Sequence, residues 1–118
     1  MLPKENRLKK RTAFLATYKT GKTFHKEGIT VFCGKLKKND IPTKIGFVVS
    51  KKIHKRAVQR NRIKRLMRES VRLYMKDFID FDTKYLSLIF VASTRLLGKN
   101  FKQIDKSVKI LMSEIQNA

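Results

Sequence analysis

The spacing of apolar residues predicts three helices. In the first, Phe14 and Tyr18 stand four residues apart on one side, between an N-cap at Thr12 and a stop at Gly21. In the second, one apolar face carries Ile63, Leu66, Met67, Ser70 and Tyr74. The third begins at an N-cap, Asn100, and its apolar positions are Phe101, Ile104, Val108, Leu111 and Ile115.

Strand patterns lie between these helices. Residues 22–36 are rich in strand-forming types, with an interruption near Glu27. Residues 43–50 follow a turn and predict another strand, and the apolar run 85–92 predicts a buried one. The segment 77–84 is predicted to be a loop. The order predicts one α+β domain spanning all 118 residues, with helices on one face of the sheet.

The alternation of residues in the strand near position 30 bears on the second face of the sheet. One side carries Ile29, Val31 and Cys33, which are core types, and the other carries Thr30, Phe32 and Gly34. An aromatic ring beside a hydroxyl suits a surface on which an unpaired base stacks. Alternatively, Phe32 is covered by Phe14 and Tyr18, and composition alone favours that interpretation.

Charge narrows the class of partner. The chain has 29 basic and 9 acidic residues, a formal net charge of +20 on 118 residues. Ten of the basic residues lie between Lys51 and Arg72, and the helix there turns Asn61, Lys64, Arg65, Arg68 and Arg72 away from its apolar face. Such a surface indicates binding to RNA or DNA. The sequence has no long apolar segment and no lipidation signal, so we expect no membrane contact and a cytoplasmic location. The first ten residues are mostly polar and basic, and we expect them to be flexible until a partner binds.

The sequence shows no arrangement typical of a protein active site. Cys33 is the single cysteine and is predicted to be a small buried hydrophobe. His25 and His54 lie in separate segments without an evident nucleophile or carboxylate partner. The acids Asp77, Asp80 and Asp82 match no calcium-loop pattern. We therefore predict no catalytic residue and no protein-bound metal.

One motif is more specific than the charge. The run Arg60-Asn61-Arg62-Ile63-Lys64-Arg65 follows Ser50-Lys51-Lys52 and a short basic loop, and precedes Arg68-Glu69. This pattern resembles the signature of the bacterial ribonuclease P protein subunit. The resemblance extends over nearly the whole chain, from Arg7-Leu8-Lys9-Lys10 to the final helix.

The resemblance implies a fold and a function. The fold would be an αβββαβα sandwich with one small mixed sheet and a left-handed βαβ crossover, a hand that runs against the general rule. The protein would be one subunit of a ribonucleoprotein that removes the 5′ leader of precursor tRNA. Its partners would be the catalytic RNA and the precursor tRNA, without an obligate protein partner. The RNA would supply the chemistry with Mg²⁺ held mainly by RNA and substrate, and the protein alone would be inert.

The resemblance also implies two sets of site residues. Those facing the catalytic RNA would be Lys52, Lys55, Arg56, Arg60, Asn61, Arg62, Lys64, Arg65 and Arg68. Those gripping the single-stranded leader, between the first helix and the sheet, would be Phe14, Tyr18, Thr30, Phe32 and Ser50. Planar guanidinium groups suit the first role because they engage two phosphate oxygens at once.

Two other classes of protein share some of these features. A ribosomal or ribosome-assembly protein would have the same charge, size and mixed fold, and the RNA that copurifies would distinguish it. A DNA-binding regulator would use the basic helix in a major groove, but no short helix-turn-helix precedes it.

Overall fold

The computed structural model describes residues 2–49, 56–77 and 82–118. The helices are α1 (Arg11–Lys19), α2 (Ala57–Asp77) and α3 (Phe101–Asn117), and the strands are β1 (Lys22–Lys26), β2 (Ile29–Cys33), β3 (Lys44–Val49) and β4 (Ser87–Ala92). Short 3-10 helices occupy Lys4–Asn6 and Thr94–Leu96. The predicted α+β class and order of elements are confirmed. No helix in the described ranges is long and apolar enough to cross a membrane.

The four strands form one mixed sheet in the order β1-β2-β4-β3. β1 pairs with β2 and β2 with β4 in antiparallel fashion, whereas β3 and β4 are parallel. The parallel pair is joined through α2, which makes the βαβ unit of the prediction. Its left-handed sense stays a prediction. β1 and β3 are the two edge strands, and Leu8 covers part of the β3 edge by donating its N–H to Ile45 O at 3.0 Å.

The interruption predicted near Glu27 is a two-residue hairpin turn. Lys26 pairs with Ile29, so only Glu27 and Gly28 form the loop. Their φ angles are 47° and 89°. Two consecutive residues with positive φ make the turn whose twist matches that of a β-hairpin, and glycine adopts this conformation without steric cost.

One face of the sheet carries the core. Ile29, Val31 and Cys33 are fully buried, as predicted. The side chains that cover them come from β4, α2 and α3 and include Leu88, Phe90, Met67, Val71, Ile104, Val108 and Leu111. The predicted N-cap of α3 is also confirmed, because Asn100 and Gln103 exchange hydrogen bonds in a capping box. Full burial of large apolar side chains stabilises the fold by about 1.5–3 kcal/mol each.

The predicted arrangement of helices on one face holds for α2 and α3, but α1 lies on the opposite face. Thr17 of α1 shares a hydrogen bond of 2.5 Å with Ser87, whose side chain points away from the core face of β4. The prediction that Thr12 caps α1 is wrong, since the helix begins at Arg11 with Lys10 as the N-cap and no side-chain cap. Gly21 follows the helix with a φ of 73°, which is the predicted stop.

Candidate nucleic-acid interface

α2 separates an apolar side from a charged side. Ile63, Met67 and Val71 are almost completely buried against the sheet and α3. The residues that we call the basic ridge lie at the start of α2 and along its remaining sides; they are Arg56, Arg60, Asn61, Arg62, Lys64, Arg65 and Arg68. Asn61, Arg65 and Arg68 are opposite the apolar side, whereas Arg60, three residues before Ile63, flanks that side. All of them are exposed or half-buried. Of the predicted RNA-facing residues, the structure therefore brings these seven together on or beside one helix.

The start of α2 is positive for two reasons. Its first turn contains no acidic residue, and Arg56 and Arg60 stand at this end. The unsatisfied N–H groups of a helix N-terminus add a partial positive charge of their own. Cations here oppose the helix dipole instead of offsetting it, so a bound anion would stabilise this end of α2.

Not every cation of α2 is equally available to a ligand. Arg62 donates a hydrogen bond of 3.2 Å from Nη2 to the carbonyl of Lys99, which ties the ridge to the turn before α3. Farther along, Arg72 donates to Glu69 at 2.6 Å. The hydrogen bond from Arg72 lowers the pKa of the Glu69 carboxyl. This ion pair offsets charge locally, so the basic ridge ends before it.

The N-terminal segment extends the basic surface beyond α2. Arg7 and Lys9 line a cleft of about 360 Å³ together with Lys64 and Arg68 of the basic ridge. The ring of Phe47 forms part of its wall, and the Arg68 guanidinium lies 5.9 Å from the centre of that ring. Sequence reasoning noted the run from Arg7 to Lys10 but assigned it no role. Only the pairing of this segment with β3 brings its charges to the ridge.

A second surface lies on the other face of the sheet, beside α1. We define the aromatic cleft by Tyr18, Thr30 and Phe32, which are all half-buried. Phe14, which was predicted for the same site, instead lines the cleft that contains Lys64 and Arg68. The rings of Tyr18 and Phe32 meet edge to face, with centroids 4.9 Å apart and an interplanar angle of 77°. Phe32 is therefore neither a core residue nor fully exposed. Tyr18 covers it from the side of α1, whereas Phe14 lies farther along the helix against β3.

Two glycines allow α1 to approach the sheet. A Cβ atom on Gly46 would lie 2.7 Å from Cζ of Phe14, so the ring occupies the space that any larger residue would need. A Cβ atom on Gly34 would overlap the Ser87 hydroxyl, which is the group that bonds Thr17. Gly34 is buried because the Ser87 side chain lies against it. It nevertheless stands on the same face of the sheet as Thr30 and Phe32, as the alternation of the strand predicted. The sequence pattern indicated neither contact, because that of Gly46 depends on the docking of α1 and that of Gly34 on the pairing of two distant segments.

Several predicted site residues lie outside the described residues. Among the RNA-facing set these are Lys52 and Lys55, and in the leader-gripping set Ser50. The same holds for His54 and Asp80, and for part of the predicted loop 77–84. Within that segment, α2 continues to Asp77.

Four acids of the described ranges form ion pairs with neighbouring cations, namely Glu27, Glu69, Asp82 and Asp105. Asp82 accepts hydrogen bonds from Lys37 at 2.5 Å and from Thr43 at 3.1 Å. Burial raises the pKa of Asp82, but these bonds and one from the Thr83 N–H outweigh it and leave the pKa below its usual value. In residues 2–49, 56–77 and 82–118, no three His, Cys, Asp or Glu residues are grouped as metal ligands.

Cys33 and His25 have defined surroundings. Burial raises the pKa of the Cys33 thiol to about 11, against the opposing charge of Lys22, so the thiol stays protonated at neutral pH. His25 is exposed and lies on β1 directly opposite Thr30, with Nδ1 3.0 Å from the Thr30 hydroxyl. His25 therefore has a hydroxyl partner on the neighbouring strand, a contact that the sequence pattern alone did not indicate.

Comparison with known proteins identifies the family. A family model described as Ribonuclease P matches residues 2–116. The chain is 39% identical over 108 residues to the ribonuclease P protein component of Clostridium kluyveri, covering 92% of both chains. It is 35% identical over 105 residues to the same component of Clostridioides difficile, covering 89% of this chain and 87% of the relative.

Solved structures support the fold. The RNase P protein of Staphylococcus aureus superposes with a TM-score of 0.74 at 24% identity, covering 97% of this chain and 100% of that chain. The RNase P protein of Thermotoga maritima gives a TM-score of 0.72 at 22% identity, with coverages of 95% and 96%. At these identities the structures establish the fold alone, whereas the family match and the sequence relatives carry the assignment. On that ground the chain belongs to the bacterial ribonuclease P protein family.

Proposed function

We propose that this chain is the protein subunit of a ribonuclease P, which binds the catalytic RNA through the basic ridge and the 5′ leader of precursor tRNA through the aromatic cleft. One observation carries the proposal: the two surfaces lie on opposite faces of the sheet. α2 presents the ridge from the core face, and α1 frames the cleft on the other. One small domain can thus hold two RNA segments of different character at the same time.

The ridge suits a structured RNA. Its guanidinium groups offer paired donors to phosphate, and Asn61 adds a directional donor and acceptor for a base edge or ribose. The nearby cleft with Arg7 and Lys9 widens the contact. Each phosphate neutralised would contribute a slope of roughly 0.7–0.9 to the dependence of log affinity on log salt concentration.

The cleft suits an unpaired strand. Phe32 keeps part of its ring exposed beside the hydroxyl of Thr30, and Val91 and Val48 continue the same face of the sheet with half-buried side chains. Stacking of a base on such a ring contributes about 1–3 kcal/mol and tolerates any base. A leader, whose sequence differs from one precursor to the next, needs this kind of grip.

The chemistry belongs to the RNA in this proposal. Two of the described carboxylates are already engaged: Asp82 by Lys37, and Asp105 by the Ser70 hydroxyl at 2.6 Å and by Lys109 at 2.9 Å. Within the described ranges, no three His, Cys, Asp or Glu residues are grouped so that they could hold a metal ion. We therefore assign the Mg²⁺ to the catalytic RNA and the substrate phosphates. The protein contributes positive charge, which lowers the repulsion between the two RNAs, and a grip on the leader.

Reconstitution tests this function. The purified protein should cleave no RNA alone, and with a bacterial ribonuclease P RNA it should trim a precursor tRNA at its mature 5′ end at a magnesium concentration where the RNA alone is slow. Cleavage by the protein alone that disappears on changing one of its carboxylates or histidines would contradict the proposal. So would an RNA subunit whose rate at low magnesium is unchanged by the protein.

A further inference from the structure

The edge strand β1 contributes a polar pair to the cleft face of the sheet. In the register of the hairpin, His25 lies opposite Thr30 and Thr23 lies opposite Phe32. These four side chains stand on the face away from α2 and α3, because the residues between them, such as Val31, point into the core. His25 is thus a direct neighbour of the aromatic cleft, although sequence reasoning gave it no role.

The hydrogen bond between Nδ1 of His25 and the Thr30 hydroxyl orients the imidazole but leaves open whether Nε2 is a donor or an acceptor. Either group can donate, since a hydroxyl is both donor and acceptor and a neutral imidazole has two tautomers. If the Thr30 hydroxyl donates to Nδ1, then Nε2 carries a proton and is a donor. If Nδ1 donates instead, Nε2 is an acceptor. The pair can therefore present the hydrogen-bonding character that a given base edge requires.

The position of Tyr18 determines the direction in which a bound strand continues. Its ring meets Phe32 from the side of α1 at a centroid distance of 4.9 Å. A base stacked on Phe32 therefore has its open side toward Thr30 and β1. Two residues of strand span about 6.6 Å, which is comparable to the step between successive nucleotides of an extended strand. The next base along the strand would reach the pair of His25 and Thr30.

We propose that His25, oriented by Thr30, forms a second nucleotide subsite of the aromatic cleft, which contacts the edge of the base next to the one stacked on Phe32. The inference rests on the proposed function, because it takes the occupant to be the unpaired leader of a precursor tRNA. It adds the edge strand to the site and assigns a hydrogen-bonding role to a residue outside the motif. The subsite accepts different bases because the tautomer adapts.

A binding experiment with single abasic nucleotides tests this subsite. Dissociation constants are measured for the holoenzyme with precursor tRNAs whose leaders differ in length, and with leaders in which one nucleotide lacks its base. His25→Ala should weaken binding of long-leader precursors about three- to tenfold, as expected for one hydrogen bond. Mature tRNA should bind as before. One abasic position should abolish the difference between wild type and variant, and it should be adjacent to the position that abolishes the effect of Phe32→Leu.

Two further variants make the test specific. Lys26→Ala removes a charge from the adjacent residue, whose side chain lies on the opposite face, and should leave the leader-dependent affinity unchanged. Thr30→Val keeps the shape of the side chain but removes the hydroxyl that orients the imidazole. It should reproduce part of the loss, even if His25→Ala destabilises the hairpin.

The outcomes separate the inference from the proposed function. If Phe32→Leu shows a leader-dependent loss and neither His25→Ala nor Thr30→Val does, the second subsite is refuted and the proposed function stands. The same conclusion follows if Lys26→Ala weakens binding as much as His25→Ala. If no variant of the cleft distinguishes precursor from mature tRNA, the leader-binding part of the proposed function fails as well.

Discussion

Replacing Phe32 by leucine separates the role of its ring in binding from its role in packing. Leucine keeps most of the apolar volume but removes the aromatic face. The edge-to-face contact with Tyr18, at 4.9 Å, is lost. Such contacts contribute about 0.5–1.5 kcal/mol beyond area burial, and near-isosteric apolar replacements cost less than about 1.5 kcal/mol.

The expected change in stability is therefore small. We expect Phe32→Leu to lower the free energy of unfolding by about 1–2 kcal/mol, which for a chain of this length corresponds to roughly 4–8 °C in Tm. Phe90 is the matched control, because it lies on the core face, is fully buried and stacks on Phe47 at 5.5 Å. Phe90→Leu should lower the free energy of unfolding at least as much, without changing the affinity that depends on the leader.

The binding measurement decides the assignment of Phe32. Loss of one stacked base, about 1–3 kcal/mol, should weaken binding of a long-leader precursor roughly 5- to 150-fold. Affinity for mature tRNA and for the catalytic RNA should be preserved. The effect should fade as the leader is shortened below the length that reaches the cleft. Equal losses for long and short leaders, together with a fall in Tm as large as that of Phe90→Leu, would refute the leader-binding role of Phe32.

Three further predictions concern the ridge, an ion pair and the thiol. Replacing Arg60, Arg62 and Arg65 together by alanine should weaken binding to the catalytic RNA and lower the dependence of log affinity on log salt concentration by up to about two units. The control variant, with Lys102→Ala and Lys106→Ala on α3, should change this affinity little. Because the pKa of Asp82 is lowered on folding, its contribution to stability is present above the unfolded-state pKa and is lost as the pH falls through the folded one. In urea titrations below about pH 5, the free energy of unfolding should therefore fall less for Asp82→Asn than for the wild type. The difference should be under about 1 kcal/mol because the Asp82 side chain is partly exposed. The same fall in stability with pH for both proteins would contradict the stabilising role of the Asp82 carboxylate. The thiol of Cys33, with its pKa raised to about 11, should react with a thiol reagent only as fast as the protein opens, and labelling at the rate of a free thiol would contradict its burial.

The resemblance carried by the motif on α2 was confirmed by the family match. Helical periodicity indicated Asn61, Lys64, Arg65 and Arg68 of the basic ridge, whereas its other members came from the resemblance. Apolar residues at helical spacing bury Ile63 and Met67, so the charges between them can only face outward. The capping box at Asn100 was equally predictable, because a cap involves residues three positions apart. These features are local, and local sequence determines them.

The aromatic cleft depended on the tertiary structure. Alternation along β2 placed Thr30 and Phe32 on one face, but it could not say how far α1 would cover them. Coverage is set by Gly34 and Gly46, where the absence of a Cβ atom admits Ser87 and Phe14. Arg7 lines a cleft with Lys64 and Arg68, and His25 contacts Thr30. In both cases only strand pairing brings the two segments together. The sequence by itself determined which residues form the charged and apolar faces, since period and composition suffice for that. Only the packing of helix on sheet, which depends on the shapes of residues distant along the chain, decided where those faces meet and leave a cleft.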